Sequence, residues 1–471
     1  INPSNSEALF ETAVISYLKK SYADALTALK KAGAANPNDF KIFALAGEIC
    51  YKTERYDEAR AELKKALAIN STLADANYYL GRIFADSREY VEAISQFEKA
   101  LEADPSRFDC LLALAGAYQA MENNEEAVRH YKRAVEISKN DPAAVIALGD
   151  LYFKLGDFDN AITLYRELKA KKAGDYETVL SKLSQCYFNK QMWYDVIETG
   201  NELLSLKPDD LETLFTVAEA SEEGQNATQA ENYLRKIIGF HPGNIEARLK
   251  LGALYARQKD HDAAIIQYKE ALKINENRID ANLELGKLYK IKNFITEAIE
   301  QFRKISSLSP NSYDARFNLA VTLFENSLFE ESREEFEKII KMTPKQHAPY
   351  YYLGLINEEK GMMNEAISEY KAAIAQKHDY VEAHFKLADV YLKKMLTEEA
   401  ISHYKEVIKY DEKNFEAHFK LGQAYRDKGM IEESVNANIS VITHAPIDSP
   451  YAEKARQLIK PQTKTSFWKK F

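Results

Sequence analysis

Cysteine is scarce in this chain. There are three in 471 residues, Cys50, Cys110 and Cys186, far apart and without any CxxC pair. That number and spacing exclude a disulfide framework and a cysteine-based zinc site, and leave the three as buried small apolar residues. Glycine and proline are also few, at 17 and 12, so little of the chain has a loop-rich or disordered composition. No apolar run approaches the roughly 18 residues that a membrane helix needs. A basic surplus is missing too: 63 Lys and Arg stand against 72 Asp and Glu, a net charge of -9. Phosphate recognition requires Lys and Arg in excess on the binding face, so nucleic acid is not the expected ligand. Also absent are GxxxxGK[ST], GxGxxG followed by an acid, HExxH and GxSxG, so no enzyme and no cofactor is expected. The chain begins at Ile1 instead of Met. A signal or anchor upstream would lie outside the sequence, which leaves the compartment open, with a soluble cytoplasmic protein favoured.

What is present is a repeat. The stretch 74–107 reads as two amphipathic helices joined by a tight turn, with Leu80, Gly81 and Phe84 at helical spacing, then Ala93, Phe97 and Ala100, then Pro105. Stepping by about 34 residues, the small residue of the first helix recurs at Ala13, Gly47, Gly81, Ala115 and Gly149. Its counterpart in the second helix recurs at Ala25, Ala59, Ala93, Ala127 and Ala161, and the large one at Leu29, Leu63, Phe97, Tyr131 and Tyr165. Around 171–175 one residue is gained, and the next unit carries Ser184 for Gly, Val196 for Ala and Gly200 for the aromatic. The seventh unit has Ala218, Ala230 and Leu234, with Gly224 expected to take a left-handed turn conformation beside Asn226. Regular units resume with Gly252, Gly286, Ala320, Gly354, Ala388 and Gly422. In the last of them Asn438 replaces the aromatic, as a terminal repeat facing water would allow.

This pattern resembles the tetratricopeptide repeat, with its Leu-Gly, Tyr, Ala, Phe, Ala, Pro signature. The resemblance implies about thirteen tandem helix-turn-helix repeats in an all-α, right-handed superhelical solenoid whose first helices line a concave groove that grips proteins or peptides. The expected organisation is repeats one to five over 6–176, the divergent repeats six and seven over 177–244, repeats eight to thirteen over 245–448, a capping helix over 449–460 and a basic-aromatic tail over 461–471. For the divergent pair a hinge and simple drift both remain open. The array and its cap leave no contiguous stretch for a catalytic domain.

Several residues are candidates for contact with partners. On the groove side, Phe317, Tyr351, Phe385 and Phe419 form an aromatic row, one per repeat, with Phe324 beside it and Lys386 and Lys420 following the last two. Each fully buried ring would be worth about 1.5–3 kcal/mol to a bound peptide, although the row also fits the repeat's own packing. Glu219, Glu222 and Glu223, with Glu212, make an acidic patch suited to a basic partner or to a solvated face. Acids in the first turn of first helices, such as Asp75, Asp109, Glu246 and Asp280, are explained by the helix dipole. His384 and His418 stand where the family usually has Trp, with His403 on the intervening helix. These are read as flat packing residues, and no metal is expected. The carboxylate clamp of chaperone-binding members is not matched: in the trio 279–380, Leu283 and Lys287 stand where Lys and Asn are needed. In the tail, Phe467, Trp468 and Phe471 among lysines suit protein docking or self-association, with membrane contact the weaker reading. The composite expectation is a non-enzymatic scaffold that organises partner proteins in its groove. The alternative is a regulatory or substrate-recruiting subunit of a separate enzyme complex, and an RNA-binding helical repeat comes third.

Overall fold

The structure, a computed structural model, describes residues 5–446 and 448–459. The tail residues Phe467, Trp468 and Phe471 lie outside them. Among the described residues every regular element is an α-helix: thirteen consecutive hairpins from α1 (Ser6–Leu18) and α2 (Tyr22–Ala35) to α25 (Phe415–Asp427) and α26 (Ile431–His444), then α27 (Pro450–Ile459). First helices carry odd numbers and second helices even ones. The chain divides into two compact units, Ile1–Phe240 and His241–Phe471.

The helices begin and end where local chemistry dictates. Asn244 and Asp260 accept from the N–H of Ala247 and Ala263, opening α15 (Ile245–Arg257) and α16 (His261–Ile274). Asp141 does the same for α9 (Pro142–Lys154), whose first residue is a proline that has no N–H to leave unpaired. In the turn inside each hairpin one residue takes a left-handed conformation. Gly156, Gly361 and Gly429 fill it in three repeats, and residues such as Glu54 (φ 59°) and Met395 (φ 59°) do so elsewhere. In the seventh repeat this residue is Gln225 (φ 60°), not Gly224 (φ -74°). Gly224 instead continues the helix geometry, its N–H bonded to the Ala220 carbonyl, and the reversal falls one residue later.

Within a hairpin the two helices touch at the small residue of the first and the ring of the second. A Cβ added at Gly81 would lie 2.6 Å from Phe97 Cε1, and one at Gly286 2.7 Å from Phe302 Cε1. Phe97, Phe302, Tyr165, Tyr370 and Tyr404 are wholly buried. In the first unit a continuous apolar strip runs from Tyr78 through Phe97, Tyr131 and Tyr165 to Leu183 and Ala220. In the second, Phe336 and Ile356 belong to one strip and Tyr370, Tyr404 and Tyr425 to another. Cys50, Cys110 and Cys186 are buried and unpaired by disulfides. Where Ser stands for the second small residue it stays in the core: Ser332 Oγ donates to the Ala320 carbonyl (2.8 Å) and Ser434 Oγ to that of Gly422 (2.7 Å).

Asn438 does not face water; it is 1% exposed. Helix α27 packs on α26, its Ala455 meeting Val441 and Phe419, so this end of the core is covered. The Asn438 amide donates back to the Ser434 carbonyl at 2.7 Å.

Two substitutions should move stability in opposite directions. Gly81→Leu drives a side chain into Phe97 and should cost about 1–3 kcal/mol or more by overpacking. Met395→Gly relieves a left-handed non-glycine residue and should gain about 0.5–1 kcal/mol, the loop-entropy cost of glycine offsetting part of the relief. Denaturant melts of the full chain measure both.

Candidate interaction face

Successive first helices lie against one another. In the first unit α3 (Phe40–Lys52) touches α5 (Ala74–Asp86), which touches α7 (Phe108–Ala120); in the second, α19 (Tyr313–Glu325) touches α21 (His347–Glu359). No two second helices approach as closely among the described residues. The first helices therefore form the inner wall of each stack.

At the N-terminal end that wall carries a cluster that sequence reasoning missed. Glu48 accepts from Tyr17 Oη (2.6 Å), Tyr79 Oη (2.8 Å) and Lys52 Nζ (2.8 Å), three residues on three successive first helices. Burial works to raise its carboxyl, but the hydrogen bonds from Lys52, Tyr17 and Tyr79 outweigh it and hold Glu48 below the usual range. Beside it Tyr51 donates to Asp86 Oδ2 at 2.9 Å and packs on Tyr79, ring centres 5.5 Å apart. Burial, against the pull of Arg82 and with the help of Asp86, pushes the Tyr51 hydroxyl up to about 12.

A second device recurs in both units. Asp150 accepts from Tyr165 Oη (2.5 Å) in its own repeat and from Lys182 Nζ (2.6 Å) in the next. Asp389 accepts from Tyr404 Oη and from Lys420 Nζ (2.7 Å) at the same repeat positions. Glu358 joins Tyr370 (2.8 Å) and Lys393 (2.5 Å) in the same manner. Aligning the repeats and asking which acid meets a second-helix Tyr and a following Lys would have revealed these. Arginines add another bridge: Arg107 holds Asp75 (2.5 Å) and Asp109 (2.9 Å), and Arg278 holds Glu246 (3.5 Å) and Asp280 (2.9 Å). The first-turn acids thus link neighbouring repeats as well as offsetting helix dipoles.

The aromatic row is engaged in packing. Phe317 meets Phe336 edge-on (6.0 Å) and Tyr352 (5.8 Å), Tyr351 meets Tyr370 (5.9 Å) and Tyr380 (5.3 Å), and Phe385 meets Tyr404 (5.8 Å). These three rings and Phe324, which touches Tyr352 at 5.5 Å, are half-buried. Phe419 is only 5% exposed, because Tyr451 of α27 covers it at 5.3 Å, so its ring offers a partner almost nothing. Lys420 is committed to Asp389 and lies over the Phe385 ring at 5.0 Å. Lys386 is half-buried on the same helix. Glu219 and Glu223 are exposed and Glu222 half-buried on α13 (Leu211–Glu223).

Between α11 (Tyr176–Asn189) and α13 the wall opens into a polar cavity of about 230 Å³, lined among others by Ser181, Ser184, Gln185, Thr213 and Thr216. It falls where the repeat signature fails. With Gly200 in the ring position no aromatic fills the gap, and Val217 of α13 closes on Gly200 so tightly that an added Cβ would lie 2.2 Å from Cγ1.

His384 Nδ1 and His403 Nδ1 are 2.9 Å apart, and His384 Nε2 is 3.0 Å from the His378 carbonyl. Two facing nitrogens at that distance can share one proton between them. Burial, then the positive potential of His384 and Lys371, lowers His403 to about 4. Tyr391 stacks on it at 5.7 Å, and Glu406 opposes the shift. Among the described residues no group of three or more His, Cys, Asp or Glu is placed to hold a metal, and no helix is long and apolar enough to cross a membrane.

Tandem hairpins stacked through a shared strip of small and large residues, with first helices forming a wall, define a helical-repeat protein of the solenoid class. Three repeat-family profiles match in succession: one described as tetratricopeptide repeat over 84–130 and 120–186, one as TPR repeat over 47–87, 359–394 and 397–429, and another tetratricopeptide repeat over 218–279 and 283–349. The chain belongs to the tetratricopeptide repeat family. Residues 1–66 also match a profile described as anaphase-promoting complex, cyclosome, subunit 3. Among solved structures the chain is similar to the APC/C hetero-tetramer Cut9-Hcn1, with 13% identity over 98% of this chain and 97% of that one and a TM-score of 0.37. It is similar to yeast Tom70 at 16% identity over 90% and 97%, TM-score 0.38, and to MamA at 28% over 35% and 95%, TM-score 0.33. A comparison with curated proteins finds no match.

The two lysine bridges should differ in worth. Lys420→Met strands Asp389, whose side chain is 14% exposed, and should cost about 1–3 kcal/mol. Lys182→Met, opposite the 41% exposed Asp150, should cost under about 1 kcal/mol. Denaturant melts distinguish the two. The histidine pair gives a pH signature. His403 is held near 4 in the fold against roughly 6.5 when unfolded, so the unfolded chain takes up the proton first as pH falls. The stability that His403 contributes is whole above about 6.5 and is lost as pH drops towards 4. Thermal melts of wild type and His403→Phe across this range should show the wild type losing more.

Proposed function

We propose that this chain is a non-enzymatic scaffold or adaptor, holding partner proteins along the wall made by its first helices. The observation that carries the reading is the pre-ordering of that wall. Glu48, Asp150, Glu358 and Asp389 are each fixed by tyrosines and lysines, several of them from a neighbouring repeat. A surface whose side chains are already held loses little conformational entropy on binding. The half-buried edges of Phe317, Phe324, Tyr351 and Phe385, with Lys386, supply apolar and cationic contact in one unit. Glu219, Glu222 and Glu223 supply anionic contact in the other. Such a surface favours several shallow contacts along an extended or helical segment over one deep pocket.

Cross-linking the full chain to the proteins that co-purify with it, followed by mass spectrometry, tests this. Links should concentrate on inner-wall lysines such as Lys182, Lys386 and Lys393. Links confined to second-helix lysines such as Lys65, Lys99 and Lys338 would show that the partners sit on the outer side.

A further inference from the structure

The cavity between α11 and α13 opens where the repeat signature fails, and acidic groups dominate its lining. Ser184 is only 5% exposed and lines the cavity; no described residue holds its hydroxyl in a hydrogen bond, and it can donate or accept towards whatever enters. Thr216 Oγ1 donates to the Glu212 carbonyl at 2.9 Å, and Thr178 Oγ1, also in the lining, donates to Asp175 at 2.6 Å. Each therefore turns only lone pairs towards the space. Glu177, Asp210 and Glu212 stand in the lining against one cation, Lys207, which is paired with Glu177. Farther along α13, Glu219 and Glu223 continue the negative surface. Three carboxylates stand against one cation, and at about 230 Å³ the space is smaller than the roughly 300–1,000 Å³ of a small-molecule site. It suits one long side chain.

We infer that this cavity is a specificity pocket for a single cationic side chain, arginine above lysine, on a polypeptide lying along the inner wall. A guanidinium brings five N–H donors on a planar head. They match the Ser184 and Thr216 oxygens inside and the Glu212 carboxylate at the rim, which supplies a charge-assisted bond. Ser184, standing where the repeat has glycine, puts a hydroxyl in the lining, and Gly200, standing where it has an aromatic, leaves Val217 packed in the ring's place. The inference rests on the scaffold reading for its ligand being part of a polypeptide, but not for the pocket's chemistry.

Saturation-transfer NMR on the full chain tests it with N-acetyl-arginine amide, N-acetyl-lysine amide and N-acetyl-glutamine amide as probes. The arginine probe should give the largest transfer and the glutamine probe less than about a fifth of it, with added salt weakening the cationic probes. Ser181→Trp, which fills the cavity from the wall side, should reduce the arginine signal at least fivefold at unchanged helical circular dichroism. Should that variant fold poorly, Glu212→Gln at the exposed rim should still weaken binding at least threefold. Equal signals from arginine and glutamine, or an arginine signal indifferent to both variants, overturns the pocket. If the arginine probe binds as described while cross-linking finds partners only on the outer side, the pocket stands and the scaffold reading fails; inner-wall partners without arginine binding give the reverse.

Discussion

The close approach of each first helix to the ring of its partner governs everything else in this protein. A hairpin of two short helices cannot enclose a core, so it must lend one face to the hairpin before it and one to the hairpin after. That is workable only if helix axes come close, and the wholly buried Phe97, Phe302 and Tyr370 sit directly against Gly81, Gly286 and Gly354, where no side chain intervenes. Burying one such ring is worth about 1.5–3 kcal/mol, and repetition turns that into a strip of core. The second small position has its own rule. Ala fills it, and Ser can substitute because its hydroxyl reaches the carbonyl of the facing helix, as Ser332 and Ser434 do.

Charge then sets how neighbouring repeats register. Tyrosine hydroxyls emerging from the core must end on an acceptor, and Asp150, Glu358 and Asp389 provide it while also receiving a lysine from the following repeat. A further row of exposed pairs, including Lys190 with Asp159, Lys292 with Asp262 and Lys428 with Glu398, joins the start of each turn to the preceding second helix. Individually such surface pairs contribute only about 0.2–1 kcal/mol. Their value lies in recurrence, since a slipped stack would misalign all of them at once.

Repeats six and seven show what happens when the recipe is relaxed. In repeat six α11 runs to 14 residues where the first helices on either side, α9 and α13, have 13, while α12 (Trp193–Leu206) keeps 14 like the second helices on either side. Val217 packs onto Gly200 where other repeats place a ring, and Ser184, standing where they have glycine, lines a polar cavity beside it.

The period, the helical hairpins, the small and large positions and the family were legible in the sequence, because each follows from spacing along one or two helices. The aromatic row was legible as a row, with packing and partner contact both open, and only the stack shows Tyr352, Tyr380 and Tyr451 closing on Phe317, Tyr351 and Phe419. Asn438 read as a water-facing residue until α27 was seen to cover that end. The Glu48 cluster draws on Tyr17, Lys52 and Tyr79 from three first helices, and no single-repeat pattern announces it. Local periodicity alone thus determined which residues form helices and which faces they bury. Which buried hydroxyl finds a carboxylate, which ring is covered and where a cavity is left were decided only by stacking, because those contacts join residues a whole repeat apart.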